Sequence, residues 1–337
     1  MIERSRKAWW CCAAGLAVLL WADDAWAWGP AVHVGLARSV LEQLGLLPAA
    51  VAAILARHGL AFLYGNIAAD VVFAKRLSRV KQFCHHWSTA FRLLEVSRDD
   101  SSRAFAYGYL SHLAADTVAH GKYVPRQIIL SNCAVSFGHL YWELRADGTQ
   151  PSDTWHALKD LLDEDHACHH RALAEQIRDT FLSYRLNRLL FDGMNALTVH
   201  RSFRKTLAAC NRRSRWHLPP ELVRDYQAEC LDRTFSILSA GPRSALLHED
   251  PNGTSALMNL REHNRQVKRL RRRGLPVSRR VAEASQGLAP PPFAAGRAHR
   301  AARTEAALPS SAASYGAVAS AGSAETIACA SLQSANS

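Results

Sequence analysis

The sequence contains three pairs of residues of metal-ligand types. The two members of each pair lie four positions apart in otherwise apolar sequence. His112, Asp116 and His120 follow one another at this interval, and His139 precedes Glu143 by the same interval. Residues four apart share one face of a helix, so each segment would present imidazole and carboxylate groups to a common site. Burying such groups is costly unless a cation compensates for them. The pattern therefore predicts a metal site, and nitrogen and oxygen ligands without thiolate favour Zn²⁺ in an open, catalytic site.

Further nitrogen and oxygen donors lie upstream of these pairs. They are His33, Asp70 and the adjacent residues His85 and His86. If Trp28 were the mature N-terminus, its amine and carbonyl could chelate one metal, because an α-amino group with a pKa near ~7.7–8.0 loses its proton readily beside a cation. A lone histidine is more often a core or surface residue. The charged sequence around His166, His169 and His170 favours a solvated helix face for those three.

Trp28 would become a terminus only after removal of a leader. Residues 1–27 begin with basic Arg4, Arg6 and Lys7, continue through an apolar stretch at 8–21, and end in Ala-Trp-Ala at 25–27. This order is typical of a secretory signal peptide. An uncleaved membrane anchor is the alternative, but 14 apolar residues are too short to span a bilayer easily. We therefore expect cleavage after Ala27, export, and a secreted or periplasmic location.

Helical periodicity must position the donor residues, because strand-like alternation is scarce. It predicts helices within 28–63, 82–96, 102–121 and 219–238, two helices over 155–190, and a turn at 64–70. The fold expected is all-α, with a single multi-helix domain at 28–245. Residues 246–337 are basic and rich in Ala, Ser and Pro, and they are expected to form a largely disordered tail.

Composition excludes several classes of protein. The chain has 337 residues, 48% of them hydrophobic, and a formal net charge of +12. This balance is that of a globular domain, and the one long apolar run excludes a multi-pass membrane protein. Residues 261–280 contain nine Lys or Arg and one Glu. This segment is either a solvated helix or an attachment site for anionic lipid, nucleic acid or envelope polymer.

The motifs together resemble the zinc-dependent phospholipase C proteins of bacteria, which are related in fold to fungal zinc-dependent single-strand nucleases and to the N-terminal domain of GPI-specific phospholipase D. The resemblance runs from Trp28 to about Glu143, with compatible helical sequence to about residue 240. Its motifs are Trp-Gly-Pro at 28–30, a following His, Gly-Asn-x-x-x-Asp at 65–70, His-x-Trp at 85–87, His-x-x-x-Asp and His-x-x-x-Glu. Two intervals, Trp28 to His33 and Asp116 to His120, are shorter than in the best-known secreted phospholipase of the family.

The resemblance implies a set of roles. Asp70 would bind zinc and serve as a candidate base for the attacking water, and Asp116 would bridge two zinc ions. His85 matches the His-x-Trp motif, with His86 as the alternative. Two or three zinc ions are expected. The full set of implied metal ligands is Trp28, His33, Asp70, His85, His112, Asp116, His120, His139 and Glu143.

The function expected from the resemblance is hydrolysis of a phosphodiester in phospholipid by metal-activated water. The membrane surface would then supply the substrate, and no obligate protein partner is indicated. A zinc-dependent nuclease or other phosphodiesterase is the alternative within enzymes, with nucleic acid as its substrate. A zinc-stabilised envelope protein without turnover is the alternative from another class. The chain contains no G-x-S-x-G nucleophile motif and no Gly-rich phosphate-binding loop.

Overall fold

The computed structural model describes residues 28–73, 83–177 and 180–291. Every regular element in these ranges is a helix, so the all-α prediction is confirmed. The leader proposed at residues 1–27 lies outside the described residues. The helices are α1 (Pro30–Leu41), α2 (Ala49–Arg57), α3 (Gly59–Ala68), α4 (Trp87–Val96), α5 (Asp100–Val118), α6 (Val124–Ser131), α7 (Val135–Asp147), α8 (Ser152–Asp163), α9 (Ala167–Gln176), α10 (Tyr184–Val199), α11 (Arg201–Arg213), α12 (Pro220–Ala240), α13 (Thr254–Arg272) and α14 (Ser278–Gln286).

Helix α5 is the central element, and α3, α4 and α12 pack around it. The Asp99 carboxylate caps its first turn by accepting from the Ser102 backbone N–H at 2.7 Å. From Gly108 to Val118 every residue of α5 is buried. A helix that is surrounded on all sides can bury ionisable groups only where other buried groups face them. The two candidate ligands His112 and Asp116 therefore lie in the interior of the molecule.

Helix α3 crosses α5 at two glycines. A Cβ built on Gly65 would lie 2.1 Å from the carbonyl oxygen of Phe105, and one built on Gly108 would lie 2.1 Å from that of Phe62. The turn predicted at 64–70 is therefore wrong over most of its length, since α3 continues through Ala68. Gly65 allows close approach of two helices here rather than a change of chain direction.

The helix predicted over 102–121 ends earlier than its sequence indicates. Regular α-helix stops at Val118, and residues Ala119–Tyr123 form a π-helical turn that leads into α6. Pro125 lies in the first turn of α6, where its missing N–H costs little. His120 is still four residues after Asp116 in sequence, but the π-helical turn moves it away from the position that a regular α-helix would give it. Single π-helical turns of this kind are frequent at functional sites.

The later part of the chain contains more helix than the sequence indicates. Residues 152–199 form three helices, α8 to α10, instead of the two predicted over 155–190. Residues 254–286 form α13 and α14 instead of belonging to a disordered tail. Leu260 and Val267 of α13 are buried, which gives this very basic helix an apolar side. Residues 292–337 lie outside the described part of the chain.

No single helix among the described residues has the length and apolar content to cross a membrane. The pair Ala49–Arg57 and Gly59–Val71 meets the composition requirement only when its two helices are taken together, and they bend by 92° at His58.

Candidate metal centre

Asp116 lies at the centre of the predicted ligands. Its carboxylate is fully buried on α5 and faces three imidazole rings. The contacts are 3.0 Å from Oδ2 to His112 Nε2, 3.2 Å from Oδ2 to His85 Nε2, and 3.4 Å from Oδ1 to His33 Nε2. Neither oxygen makes a hydrogen bond with acceptable angles. Burial alone would raise the pKa of this carboxyl, but the facing imidazoles outweigh burial and hold the pKa well below its ordinary value.

The backbone of α3 orients His112. The ring donates from Nδ1 to the carbonyl oxygen of Asn66 at 2.7 Å. In the neutral ring the lone pair is then on Nε2, which faces Asp116 and lies 3.2 Å from His85 Nε2. His33 stacks on the same ring with centroids 4.0 Å apart. Burial and then His112 lower the pKa of His33, although Asp116 opposes this, so the ring favours the neutral form that binds metals.

Asp70 lies in the 3₁₀ turn Ala69–Val71 that follows α3. Its Oδ1 lies 3.2 Å from His85 Nε2, and its Oδ2 lies 3.9 Å from His112 Nε2. The Asp70 side chain is 8% exposed, whereas that of Asp116 is 0% exposed, so Asp70 is the more accessible of these two carboxylates. His85 is buried, while its neighbour His86 is exposed. The structure therefore places His85, and not His86, among the other donors.

Two sets of donors have all their ligand atoms within 4.8 Å of one another. The first set is His33, Asp70 and His112, and the second is His85, His112 and Asp116. His112 belongs to both sets, so the two sets form one continuous group. Four separate helical segments supply it, which is why the sequence separation of the donors is large.

The remaining predicted donors extend this group along the π-helical turn after α5 and along α7. His139 Nε2 lies 3.2 Å from Glu143 Oε1 on the same helix and 3.1 Å from His120 Nδ1. The other nitrogen of His120 lies 4.0 Å from Asp116 Oδ2. Among the described residues these three do not form a further set with every donor within 4.8 Å. His120 instead connects the Asp116 group to the pair His139 and Glu143.

Trp28 precedes α1, and its ring is fully buried. It stacks on Tyr123 of the π-helical turn, with ring centroids 4.5 Å apart. The next residue, Gly29, is required here, because a Cβ on it would lie 2.0 Å from Asp147 Oδ2. Asp147 Oδ1 accepts from the Val32 backbone N–H at 3.0 Å, and burial raises the pKa of this carboxyl to about 7. Asp147 thus fixes the start of α1, the helix that carries His33.

The sequence interpretation missed Asp147, although a signal for it was present. It follows Glu143 by four residues, as Glu143 follows His139. Continuing the same interval along α7 would have placed it on the same face. Its partner is the N-terminus of a helix instead of a predicted donor, and helix N-termini favour negative charge.

A second missed region is the segment 249–253, which leads into α13. The Asn252 side chain donates to the carbonyl oxygen of His85 at 3.1 Å. A Cβ built on Gly253 would lie 2.5 Å from the Cβ and 2.7 Å from the carbonyl oxygen of His120. Trp87 donates from its indole nitrogen to the carbonyl oxygen of Glu249 at 2.9 Å. This segment therefore touches two predicted donors from a part of the chain that the sequence assigned to the tail.

The donors fit a zinc ion. Imidazole nitrogens and carboxylate oxygens are ligands that Zn²⁺ accepts. The buried oxygens of Asp116 face the lone-pair side of His112 without hydrogen-bond geometry, so acceptor atoms converge where a cation would satisfy them. The hydrogen bond from His112 to a backbone carbonyl is the second contact that metal-bound histidines usually make. We refer to His33, Asp70, His85, His112, Asp116, His120, His139 and Glu143 as the carboxylate–histidine cluster.

Comparison with known families agrees with this chemistry. The profile of the family described as zinc dependent phospholipase C matches residues 32–188. The match covers less than half of the chain, and over this region the chain is similar to the zinc-dependent phospholipase C family. The match contains every member of the carboxylate–histidine cluster, while Trp28 and the segment 249–253 lie outside it. No curated protein and no solved structure matches the chain.

The family region contains a second group of buried histidines. The solvated face predicted for His166, His169 and His170 is wrong, because all three are buried. His170 Nε2 lies 2.5 Å from the Tyr64 hydroxyl, and its Nδ1 lies 2.7 Å from the Tyr184 hydroxyl. The charged residues of this segment point outward, and α9 turns its imidazoles toward aromatic rings. We refer to Tyr64, His166, His169, His170 and Tyr184 as the tyrosine–histidine cluster.

Proposed function

We propose that the protein is a hydrolase that cleaves a phosphodiester in phospholipid, and that the carboxylate–histidine cluster is its catalytic centre. The similarity to the zinc-dependent phospholipase C family supports phospholipase C-like phosphodiester hydrolysis with zinc at the coarser level. The observation that carries the assignment of the catalytic centre is the buried Asp116 carboxylate facing three imidazoles, while the lipid substrate is proposed from the similarity to the family. Burying these groups costs free energy, and a bound cation that also binds phosphate would offset that cost.

The proposed metal ligands fall into three groups. His85, His112 and Asp70 would hold one ion, and His120, His139 and Glu143 would hold another. Asp116 would bridge to a site made by His33 together with the amine and carbonyl of Trp28. Two or three zinc ions per chain are therefore proposed.

Asp70 is the proposed catalytic base. Bound zinc lowers the pKa of water toward ~7 and neutralises phosphoryl oxygens as charge builds on them. Asp70 is more accessible to water than Asp116, and its two oxygens face different imidazoles. One oxygen can therefore remain with the metal ligands while the other orients a water molecule or accepts its proton. Asp116 is the weaker candidate, because its side chain is 0% exposed and lies within 3.4 Å of three imidazoles.

Export and processing are part of the same proposal. Cleavage after Ala27 would free the Trp28 amine. The burial of the Trp28 ring against Tyr123 and the contact of Gly29 with Asp147 support a fixed position for this residue. A free amine held there would be placed reproducibly in every molecule.

The test uses protein processed to begin at Trp28. Zinc per chain is measured by elemental analysis, and phosphate-ester release is followed with phosphatidylcholine and with single-stranded DNA, each with and without chelator. Zinc-dependent cleavage of the lipid supports the proposal. Cleavage of DNA alone would replace it with a nuclease, and zinc binding without turnover on either substrate would contradict it.

Asp70→Asn sharpens this test. The variant should lose activity by about 100-fold or more, since general-base catalysis contributes about 10²–10⁴-fold. Because Asp70 is also a proposed ligand, the ion that it shares with His85 and His112 should bind more weakly, while the ion at His120, His139 and Glu143 should be retained. Asp192→Asn is the matched control, because Asp192 is a half-exposed carboxylate on α10 whose partner is Arg188. Full activity in the Asp70 variant would remove Asp70 from the mechanism.

A further inference from the structure

Helix α13 has two chemically distinct sides. Leu257, Leu260 and Val267 pack inward, at the spacing of one helix face. Exposed basic residues occupy the outward side at the complementary spacing. We call this outward set the cationic face, and it consists of Arg261, Arg265, Lys268, Arg269 and Arg272.

The charge of the cationic face is mostly uncompensated. Arg265 pairs with Glu262 at 3.0 Å. Among the described residues, no salt bridge involves the other four members of the face. Cations in the last turn of a helix are favoured by the helix dipole, which is a sufficient structural reason for Arg269 and Arg272. It gives no reason for Arg261 and Arg265, which lie in the middle of the helix.

Exposed apolar side chains accompany the cationic face. Met258 is 63% exposed and precedes Arg261 by one turn on the same side, and Leu275 is 48% exposed just beyond the C-terminal end of α13. Residues 254–291 contain no Trp, Tyr or Phe, so this surface offers no aromatic platform for nucleic-acid bases. Basic residues combined with flexible apolar side chains suit the interface of an anionic lipid bilayer instead.

The position of α13 links this surface to the metal centre. Its N-cap is Gly253, the residue that contacts His120, and Asn252 holds the backbone of His85. A bilayer bound to the cationic face would therefore be held within one helix length of the proposed catalytic centre. This arrangement would raise the local concentration of a lipid substrate.

We propose that the cationic face of α13 docks the protein on anionic phospholipid bilayers. The proposal rests on the proposed function, since it supplies the membrane contact of a phospholipase. It adds a binding surface outside the region that matches the family. The docking step involves no metal ligand.

The test measures cosedimentation of the zinc-loaded protein with phosphatidylcholine vesicles, with and without phosphatidylglycerol. Binding should require the anionic lipid and weaken with added salt. The triple variant Arg261→Glu, Arg265→Glu, Arg269→Glu should bind on the order of 100-fold more weakly, given the contribution of each basic residue near an anionic surface. If the wild-type protein bound equally well to vesicles with and without phosphatidylglycerol, the proposal would be overturned.

The matched control carries the same change of charge on another exposed basic helix, as Arg201→Glu, Lys205→Glu, Arg212→Glu on α11. It should retain most of the vesicle binding. Equal loss in both variants would show that only net charge matters and would overturn the proposal. A triple change of the α13 residues to Gln, with helical content checked by circular dichroism, separates docking from misfolding and should also lose binding.

Two further measurements separate this proposal from neighbouring ones. Hydrolysis of a soluble, short-chain phosphatidylcholine should be unchanged in the α13 variants, so failure of the proposed function and failure of docking give different results. Binding to duplex DNA at physiological salt is measured as well. If the wild-type protein binds DNA but binds vesicles only weakly, and the α13 changes abolish the DNA binding, the face is assigned to nucleic acid and the lipid proposal is overturned.

Discussion

The molecule buries two histidine clusters that differ in their partners. In the carboxylate–histidine cluster, imidazoles face Asp70, Asp116 and Glu143 at 3.0–3.9 Å in the pairs with direct contact. In the tyrosine–histidine cluster, both nitrogens of His170 face tyrosine hydroxyls. The first cluster contains five histidines and the second contains three, so a group of buried histidines does not by itself distinguish a metal site.

The two clusters differ in whether a buried group keeps a charge that no hydrogen bond of good geometry satisfies. The ring of His166 donates to the Leu161 carbonyl at 2.7 Å, and it stacks on Tyr64 with centroids 3.5 Å apart. These groups satisfy each other as neutral partners, and they need no cation. Asp116 remains charged in a buried place and lacks hydrogen bonds of good geometry. Buried carboxylates, more than buried imidazoles, therefore mark the metal centre.

The largest expected effect comes from removing the charge at the centre of the first cluster. Asp116→Asn should lose zinc affinity by more than about 100-fold and lose hydrolysis with it, since changes even in residues behind the ligands cost about 10–100-fold. Zinc titration monitored by competition with a chromophoric chelator gives the affinity. Asp192→Asn, a carboxylate change beside the tyrosine–histidine cluster, should leave zinc affinity unchanged. Retention of wild-type zinc binding in Asp116→Asn would make the two clusters equivalent.

A smaller effect is expected where the segment 249–253 supports the first cluster. Gly253→Ala places a methyl group against the backbone of His120 and should weaken zinc binding by about 10-fold or more. Gly274→Ala is the matched control, because Gly274 also has a positive φ but nothing lies within 4 Å of its Cβ position. Both substitutions place alanine at a positive φ, which lowers the free energy of unfolding by about 1 kcal/mol in each variant. The visible spectrum of the Co²⁺-substituted protein, which reports ligand geometry, should change only in Gly253→Ala. Identical spectra in the two variants would remove this segment from the centre.

The smallest expected effect is acid sensitivity from the second cluster. Burial, and then the neighbouring His166, lower the pKa of His169 to about 4. Between the ordinary pKa of about 6.5 and this value, the unfolded chain binds a proton that the folded protein does not. The free energy of unfolding should therefore fall as pH decreases through this range, by up to about 1.4 kcal/mol per pH unit for this ring. The free energy of unfolding should be fully restored above the ordinary histidine pKa of about 6.5.

Urea unfolding of the zinc-saturated protein at pH 7 and at pH 5 measures this effect. The stability of wild-type protein relative to His169→Gln should decrease on acidification. The control is His156→Gln, because His156 is exposed, and its stability difference from wild type should not change with pH. A pH-independent difference for His169→Gln would mean that this ring is not held neutral by its surroundings.

The sequence predicted the helical class, which the structure confirms, and a set of donor residues that the fold brings together, because both depend on local spacing. That these residues bind metal stays a prediction. The interval of four residues in 112–120 and 139–143 is visible without any tertiary information. The choice between His85 and His86 was not, since adjacent residues differ only in the direction that the folded chain gives them. The structure buries one and exposes the other.

The errors have a common physical origin, in that tertiary contacts gave a residue a use that its local signal did not indicate. Gly65 reads as a turn residue but allows α3 to cross α5. The charged sequence around His169 reads as a solvated face, yet one side of α9 meets Tyr64 and Phe105. Asn252 and Gly253 lie in residues 246–337, whose overall basic, Ala-, Ser- and Pro-rich composition does not reveal the apolar face of α13.

Zinc is proposed to bind at Asp116 and not at the tyrosine–histidine cluster. Anomalous diffraction at the zinc absorption edge, on crystals of protein processed to begin at Trp28, tests this directly. Strong peaks are expected beside Asp116, His85 and His112, and no peak is expected within bonding distance of His166, His169 or His170. A peak at the tyrosine–histidine cluster, or none beside Asp116 in zinc-loaded protein, would contradict it.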